Sequence, residues 1–250
     1  MLRQFLIFSS SAQVALEGLI QRAQSATGLR HAIQQQGLAI LVRSIEDVLT
    51  IPGGSGYVLG TLFAKYGPAR RIAPDDALAI ESLAQPDPIF PLRDRFWGGY
   101  VAMLADGGGL TMMRDPSGAM PCYIIPLSGG WAAASDISLF VSAGLLKPTI
   151  AWDAIPRYLA AKDLPAATTA IQHVREILPG TYERLTEGRS SVTSFWSPWD
   201  HISPVERRGA AAIEERLKRT VDHCVASWAS TTGSALLTLS GGLDSSIVAS

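Results

Sequence analysis

Short apolar runs separated by glycine and proline turns fill the first four-fifths of the chain, and the period of polar positions within them is that of strands. Residues 2–8, 37–42, 57–63, 100–104, 110–114, 122–126 and 131–134 are predicted strands. Helical spacing intervenes at 12–26, at 136–143 with Asp136 as its cap, and at 152–161. Leu178-Pro179-Gly180 forms a turn that launches a strand at 181–185, and Gly188 leads into another through 191–196, the pattern of a hairpin. Strands and helices in this mixture predict a layered α+β domain.

The pattern changes after residues 197–204, which contain Pro198 and Pro204. A long helix is expected over 205–229, because Ile213, Leu217, Val221, Cys224, Val225 and Trp228 recur at steps of one helical turn and form a single apolar stripe. Thr231-Thr232-Gly233 then leads to an apolar run at 235–239, the helix-then-strand order of a parallel α/β sheet. Two units follow from this division, residues 1–200 and 205–250. A lone parallel strand cannot bury both faces, so the second unit is expected to be incomplete, as in a fragment or a truncated gene product.

The apolar run passes into Ser240-Gly241-Gly242-Leu243-Asp244-Ser245-Ser246 and the start of a further helix. Strand, glycine turn and helix N-terminus converge unpaired N–H groups and the positive end of the helix dipole on one spot, which suits a phosphate. The expected nucleotide-binding set is Leu239, Ser240, Gly241, Gly242, Leu243, Asp244, Ser245 and Ser246. The glycines admit close approach and the serines donate hydroxyls, while the Asp244 carboxylate fits beside phosphates when Mg²⁺ offsets the repulsion. ATP and Mg²⁺ are the cofactors this implies. An ordinary turn with Asp244 as N-cap is the competing explanation. The segment is not a Walker loop, which ends in Gly-Lys-Ser/Thr.

Bulk composition narrows the field. The 250 residues are 47% hydrophobic with a formal net charge of −1, which leaves no basic field for nucleic acid or an anionic membrane. No run approaches the roughly 20 apolar residues that span a bilayer. The two cysteines, Cys122 and Cys224, lie far apart in dissimilar settings, as expected of a reduced cytoplasmic protein. His31, His173, His201 and His223 share no metal-ligand spacing.

Ser240 to Ser245 resembles the pyrophosphate loop of the asparagine synthetase family, which includes β-lactam synthetases and lasso-peptide cyclases. Gly98 to Asp106 resembles that family's Gly-x-Phe-Ala-x-x-Leu-x-Asp strand. Arg114-Asp115-Pro116-Ser117-Gly118-Ala119-Met120-Pro121-Cys122-Tyr123 is similar to its Arg-Asp-x-x-Gly-x-x-Pro-x-Tyr segment, and Leu178-Pro179-Gly180 with Phe195-Trp196 to its closing hairpin. The resemblance implies an αββα sandwich of the N-terminal-nucleophile type, a class II glutamine-amidotransferase-like domain, followed by the start of a PP-loop synthetase domain.

Two departures bear on chemistry. Glutamine-using members place a cysteine after the initiator Met, where thiol and α-amine serve as nucleophile and base; here Leu2 stands there. The acidic position that would hold the glutamine amine is Gly99. Glutaminase activity is therefore expected to be absent, with no catalytic residue assigned in the first unit. A carboxylate activated as its acyl-adenylate would then be attacked by a tethered amine. Gly56 to Phe63 and Phe96 to Tyr100 resemble the lasso-peptide cyclases most, which implies macrolactam formation on a precursor peptide, with a leader-peptidase partner. A glutamine-hydrolysing asparagine synthase, a β-lactam synthetase acting on a small carboxylate, and an inactive truncated paralogue that only binds a partner are the alternatives.

Overall fold

The computed structural model describes residues 3–10, 13–35, 37–83, 87–106, 109–161, 164–186, 189–202 and 209–249. Among them the chain begins with β1 (Phe5–Ser10), α1 (Gln13–Thr27), β2 (Arg30–Gln35), β3 (Leu38–Val42), β4 (Val48–Ile51) and β5 (Gly56–Ala64). Next come α2 (Ala77–Glu81), α3 (Ile89–Arg95), β6 (Phe96–Asp106), β7 (Gly109–Arg114), β8 (Tyr123–Leu127) and β9 (Gly130–Ala134). The remainder is α4 (Ile137–Ser142), α5 (Ile155–Ala160), β10 (Arg175–Glu176), β11 (Thr181–Thr186), β12 (Arg189–Ser194), α6 (Ala210–Ala229) and α7 (Leu243–Ala249).

The strands form two six-stranded sheets, β10-β8-β9-β1-β3-β2 and β12-β11-β7-β6-β5-β4. Every pairing between them is antiparallel. The sheets stack face to face, and the alternation of side chains along each strand explains why the central strands are apolar throughout. In β1, Phe5 and Ile7 enter the core between the sheets with Val101, Met103 and Met112, whereas Leu6 and Phe8 face Leu16, Ile20 and Phe140 of α1 and α4. In β6, Val101 and Met103 point inward, while Tyr100, Ala102 and Leu104 pack outward with Leu92 of α3 and Phe195. Helices thus cover both outer faces, and the α+β sandwich expected from the sequence is the observed architecture.

Asp136 caps α4 as anticipated, its carboxylate accepting from the Ser138 N–H at 2.7 Å. The closing hairpin is β11 paired with β12. Residues 235–239 depart from expectation. They have no ladder partner among the described residues and are exposed, Leu236 almost fully at 99%. A strand exists through hydrogen bonds to a neighbour, and the described residues place none beside this run. Leu2, Ala12 and the expected helical residues 205–208 lie outside the described residues.

Candidate functional site

Strand β7 ends at Arg114, and the chain then folds over a buried carboxylate. Asp115 accepts from the Tyr100 N–H at 3.1 Å, the Ser117 N–H at 2.8 Å and the Gly118 N–H at 3.1 Å, and also from the Ser117 hydroxyl. Burial pushes its carboxyl up; the Ser117 hydroxyl, the Tyr100 and Ser117 N–H groups and the Arg114 charge pull it back. Arg114, also buried, donates to Glu176 Oε1 at 2.6 Å, to the Ile177 carbonyl at 2.7 Å and to the Gly118 carbonyl at 2.9 Å. The Arg-Asp pair therefore ties the turn at 115–118 to β6 on one side and to residues 176–177 on the other. Its role is to shape the segment 114–123, which carries Ala119, Met120 and Pro121 to the edge of a cavity.

That cavity, about 190 Å³, lies between this segment and β5 and β6, with Arg3, Thr61, Gly99, Met120 and Trp228 in its lining. Arg3 bonds Asp47 at 2.8 Å and donates to the Gly60 carbonyl at 2.5 Å, while Arg71 reaches the same Asp47 oxygen at 3.1 Å. Two guanidiniums thus share one carboxylate, and Arg3 is the member of the set that lines the cavity. Burial holds Arg3 below its ordinary value, opposed by Asp47 and reinforced by the Arg71 charge.

Trp228 reaches the cavity from α6. It meets Phe63 edge-on at 5.0 Å between ring centroids and Trp97 at 6.4 Å, and the Ser230 hydroxyl accepts from the Arg71 N–H at 3.1 Å. A Cβ at position 99 would lie 3.0 Å from that of Ala119 and 3.4 Å from the Trp228 ring. Gly99 and Trp228 are thus coupled: any longer side chain at 99 competes with the indole for one space. Among the described residues that line the cavity, none is a nucleophile hydrogen-bonded to a base.

Neither cysteine is poised for catalysis. Cys122 is buried in the core between the sheets, where burial pushes its thiol up to about 12, and Cys224 on α6 is raised by the same cause. A thiol reagent applied to the folded protein near pH 8 is therefore expected to modify Cys224 alone, with Cys122 reacting only after denaturation. Mass spectrometry of the two peptides reads the outcome.

The glycine turn places the expected nucleotide-binding residues together. Gly241 holds φ +77, open to glycine without strain, and no atom lies within 4 Å of where its Cβ would be. The Ser240 Oγ lies 3.2 Å from Ser245 Oγ and accepts from the Gly242 N–H at 3.3 Å, and the Ser246 hydroxyl donates to the Gly242 carbonyl at 2.9 Å. Leu243 and Asp244 open α7, and Leu239 and Leu243 are exposed. The serine hydroxyls thus close the turn on itself, while the first-turn N–H groups of α7 have no partner within the helix. Sequence reasoning placed Trp228 in the α6 stripe without seeing its contact with Gly99. It missed the Arg3–Asp47–Arg71 set entirely, since three residues so dispersed give no local pattern.

A sequence profile of the glutamine amidotransferase domain family matches residues 93–196, the stretch from α3 through β12 that contains the Arg114–Asp115 turn. No curated protein matches the sequence. Among solved structures, glutamine phosphoribosylpyrophosphate amidotransferase from B. subtilis, complexed with ADP and GMP, is 12% identical, with a TM-score of 0.46, over 78% of this chain and 49% of that one. A structure described as the allosteric regulatory enzyme of purine biosynthesis is 10% identical, with a TM-score of 0.44, over 78% of this chain and 49% of its own. This chain spans about half the length of each. The matched segment, residues 93–196, is glutamine-amidotransferase-like.

Proposed function

We propose that the chain couples an amidotransferase-like sandwich that does not hydrolyse glutamine to the phosphate-binding edge of an ATP-dependent amide ligase. The observation that carries this is the order of two features in one chain: the matched sandwich, then an apolar run, Ser240-Gly241-Gly242-Leu243-Asp244-Ser245 and a helix start. In the reaction, a substrate carboxylate oxygen attacks the α-phosphorus of ATP and pyrophosphate leaves. An amine then attacks the acyl carbon, AMP departs and a proton is released, which leaves an amide. Expelling AMP rather than hydroxide from the acyl carbon, after cleavage of an ATP phosphoanhydride bond has installed it, is what makes amide formation favourable in water. The backbone donors of the turn and the α7 N-terminus would receive the leaving group's charge. Asp244, which has no ion-pair partner among the described residues, would hold Mg²⁺, and the ion supplies charge neutralisation at the phosphates.

Support for a non-glutaminase role comes from Gly99 and from the buried setting of Cys122. With no ammonia source of its own, the site suits an amine tethered to the same molecule as the carboxylate, because tethering supplies a high effective concentration. A peptide whose N-terminal amine closes onto its own Asp or Glu side chain meets that description, and the product is a macrolactam. Calorimetric titration with Mg-ATP tests the loop. Saturable, Mg²⁺-dependent binding that weakens by about an order of magnitude in Asp244→Ala is expected, the size of one lost charge-assisted contact. No binding would instead support a scaffold whose sandwich only docks a partner.

A further inference from the structure

A second cleft lies on the outer side of the sandwich and shares no lining residue with the small cavity or the glycine turn. Its volume is about 650 Å³, within the range of pockets that enclose small ligands and short peptide segments, and its lining includes Ala64, Tyr66, Arg70, Ile72, Arg95 and Phe96. The floor is apolar, since Ile72 and Phe96 belong to the core of buried residues beneath it. The rim is aromatic and cationic. Tyr66 lines the cleft and is 82% exposed, which leaves most of its ring free to meet a partner.

The charge on the rim is neutralised only in part. Arg70 is held by Asp76 at 2.7 Å. Asp94, beside Arg95 in sequence, accepts from Nε and Nη2 of Arg93, at 2.7 and 3.0 Å, and Arg93 also lies over the Phe90 ring at 5.0 Å. Asp76, which lines the cleft itself, and Asp94, next to Arg95 in sequence, are thus each committed to another arginine. Arg95 has no side-chain partner among the described residues, so its guanidinium fork is open to a carboxylate.

We infer that this cleft binds a short peptide segment in which a bulky apolar side chain is followed by an acidic one, the first seated over Ile72 and Phe96 beside Tyr66 and the second paired with Arg95. The inference does not depend on the ligase reaction, because it uses none of the residues of the glycine turn.

The test is fluorescence anisotropy on the full chain with two labelled pentapeptides, Gly-Trp-Glu-Leu-Gly and its charge-reversed counterpart Gly-Trp-Lys-Leu-Gly. The acidic peptide is expected to bind saturably and at least tenfold more tightly than the basic one. Arg95→Gln should remove that preference and Tyr66→Ala should weaken both peptides. Both residues are exposed, so neither variant should shift the unfolding midpoint, which is measured alongside. Equal binding of the two peptides, unchanged selectivity in Arg95→Gln, or no saturable binding of the acidic peptide would overturn the inference. Loss of Mg-ATP binding in the Asp244 variant leaves this result untouched, so failure of one proposal is distinguishable from failure of the other.

Discussion

Asp115→Ala is expected to destabilise the sandwich by about 3–5 kcal/mol, a large part of the stability of an ordinary domain. The carboxylate is fully buried and accepts from three backbone N–H groups and a hydroxyl. Removing it strands donors that cannot all reach water, and the Tyr100 N–H in the middle of β6 is the worst placed. Asp115→Asn separates charge from hydrogen bonding. Its single oxygen can serve the Ser117 and Gly118 donors, but its NH₂ then faces the Tyr100 N–H, donor against donor, and about 1–3 kcal/mol should be lost. Urea unfolding of the three proteins measures both. If Ala and Asn cost the same small amount, Asp115 does not organise the turn.

Gly98→Ala should prevent the native fold from forming. Gly98 holds φ +143, a region L residues rarely adopt, and a Cβ there would lie 2.2 Å from the Thr61 carbonyl oxygen on β5. The obstacle is backbone in the centre of a sheet, where Leu62 pairs with Gly98, so no side-chain rotation relieves it. The cost exceeds the ~4 kcal/mol that marks exceptional substitutions. Gly18→Ala in α1 is the control: no atom lies within 4 Å of its Cβ position, and a helical glycine replaced by alanine gains about 0.5–1 kcal/mol. Soluble yield and circular dichroism should fall for the first variant and hold for the second. The close approach of β5 and β6 at Gly98 is also what brings Gly99 to the cavity beneath Trp228.

Strands buried on both faces were the most legible part of the chain. The unbroken apolar runs of β1, β3 and β5 announce themselves, because both sides of each strand meet a layer of the core. β2 escaped notice for the opposite reason: Arg30, His31, Gln34 and Gln35 sit on an edge strand, with a register shift between His31 and Ile33, so it carries no apolar period. β4 is four residues long and runs directly into Pro52-Gly53, which reads as a turn. The Arg114-Asp115 motif was visible in sequence, but its work, tying three segments together, needed Glu176 and Ile177 beside it. Likewise the α6 stripe was correct as a helix, while its meaning lay in where Trp228 lands. The expected strand at 235–239 shows the limit of an apolar run as a signal, since only a paired neighbour turns such a run into a strand.

The link between the glycine turn and amide formation is tested most directly by exchange of labelled pyrophosphate into ATP by the full-length protein, with Mg²⁺ and a peptide bearing a free N-terminal amine and an internal Asp or Glu. Exchange is expected only when the carboxylate peptide is present, with no need for glutamine or ammonia, and should be lost in Asp244→Ala. Absence of exchange with every carboxylate supplied, or exchange that requires glutamine, would contradict the assignment.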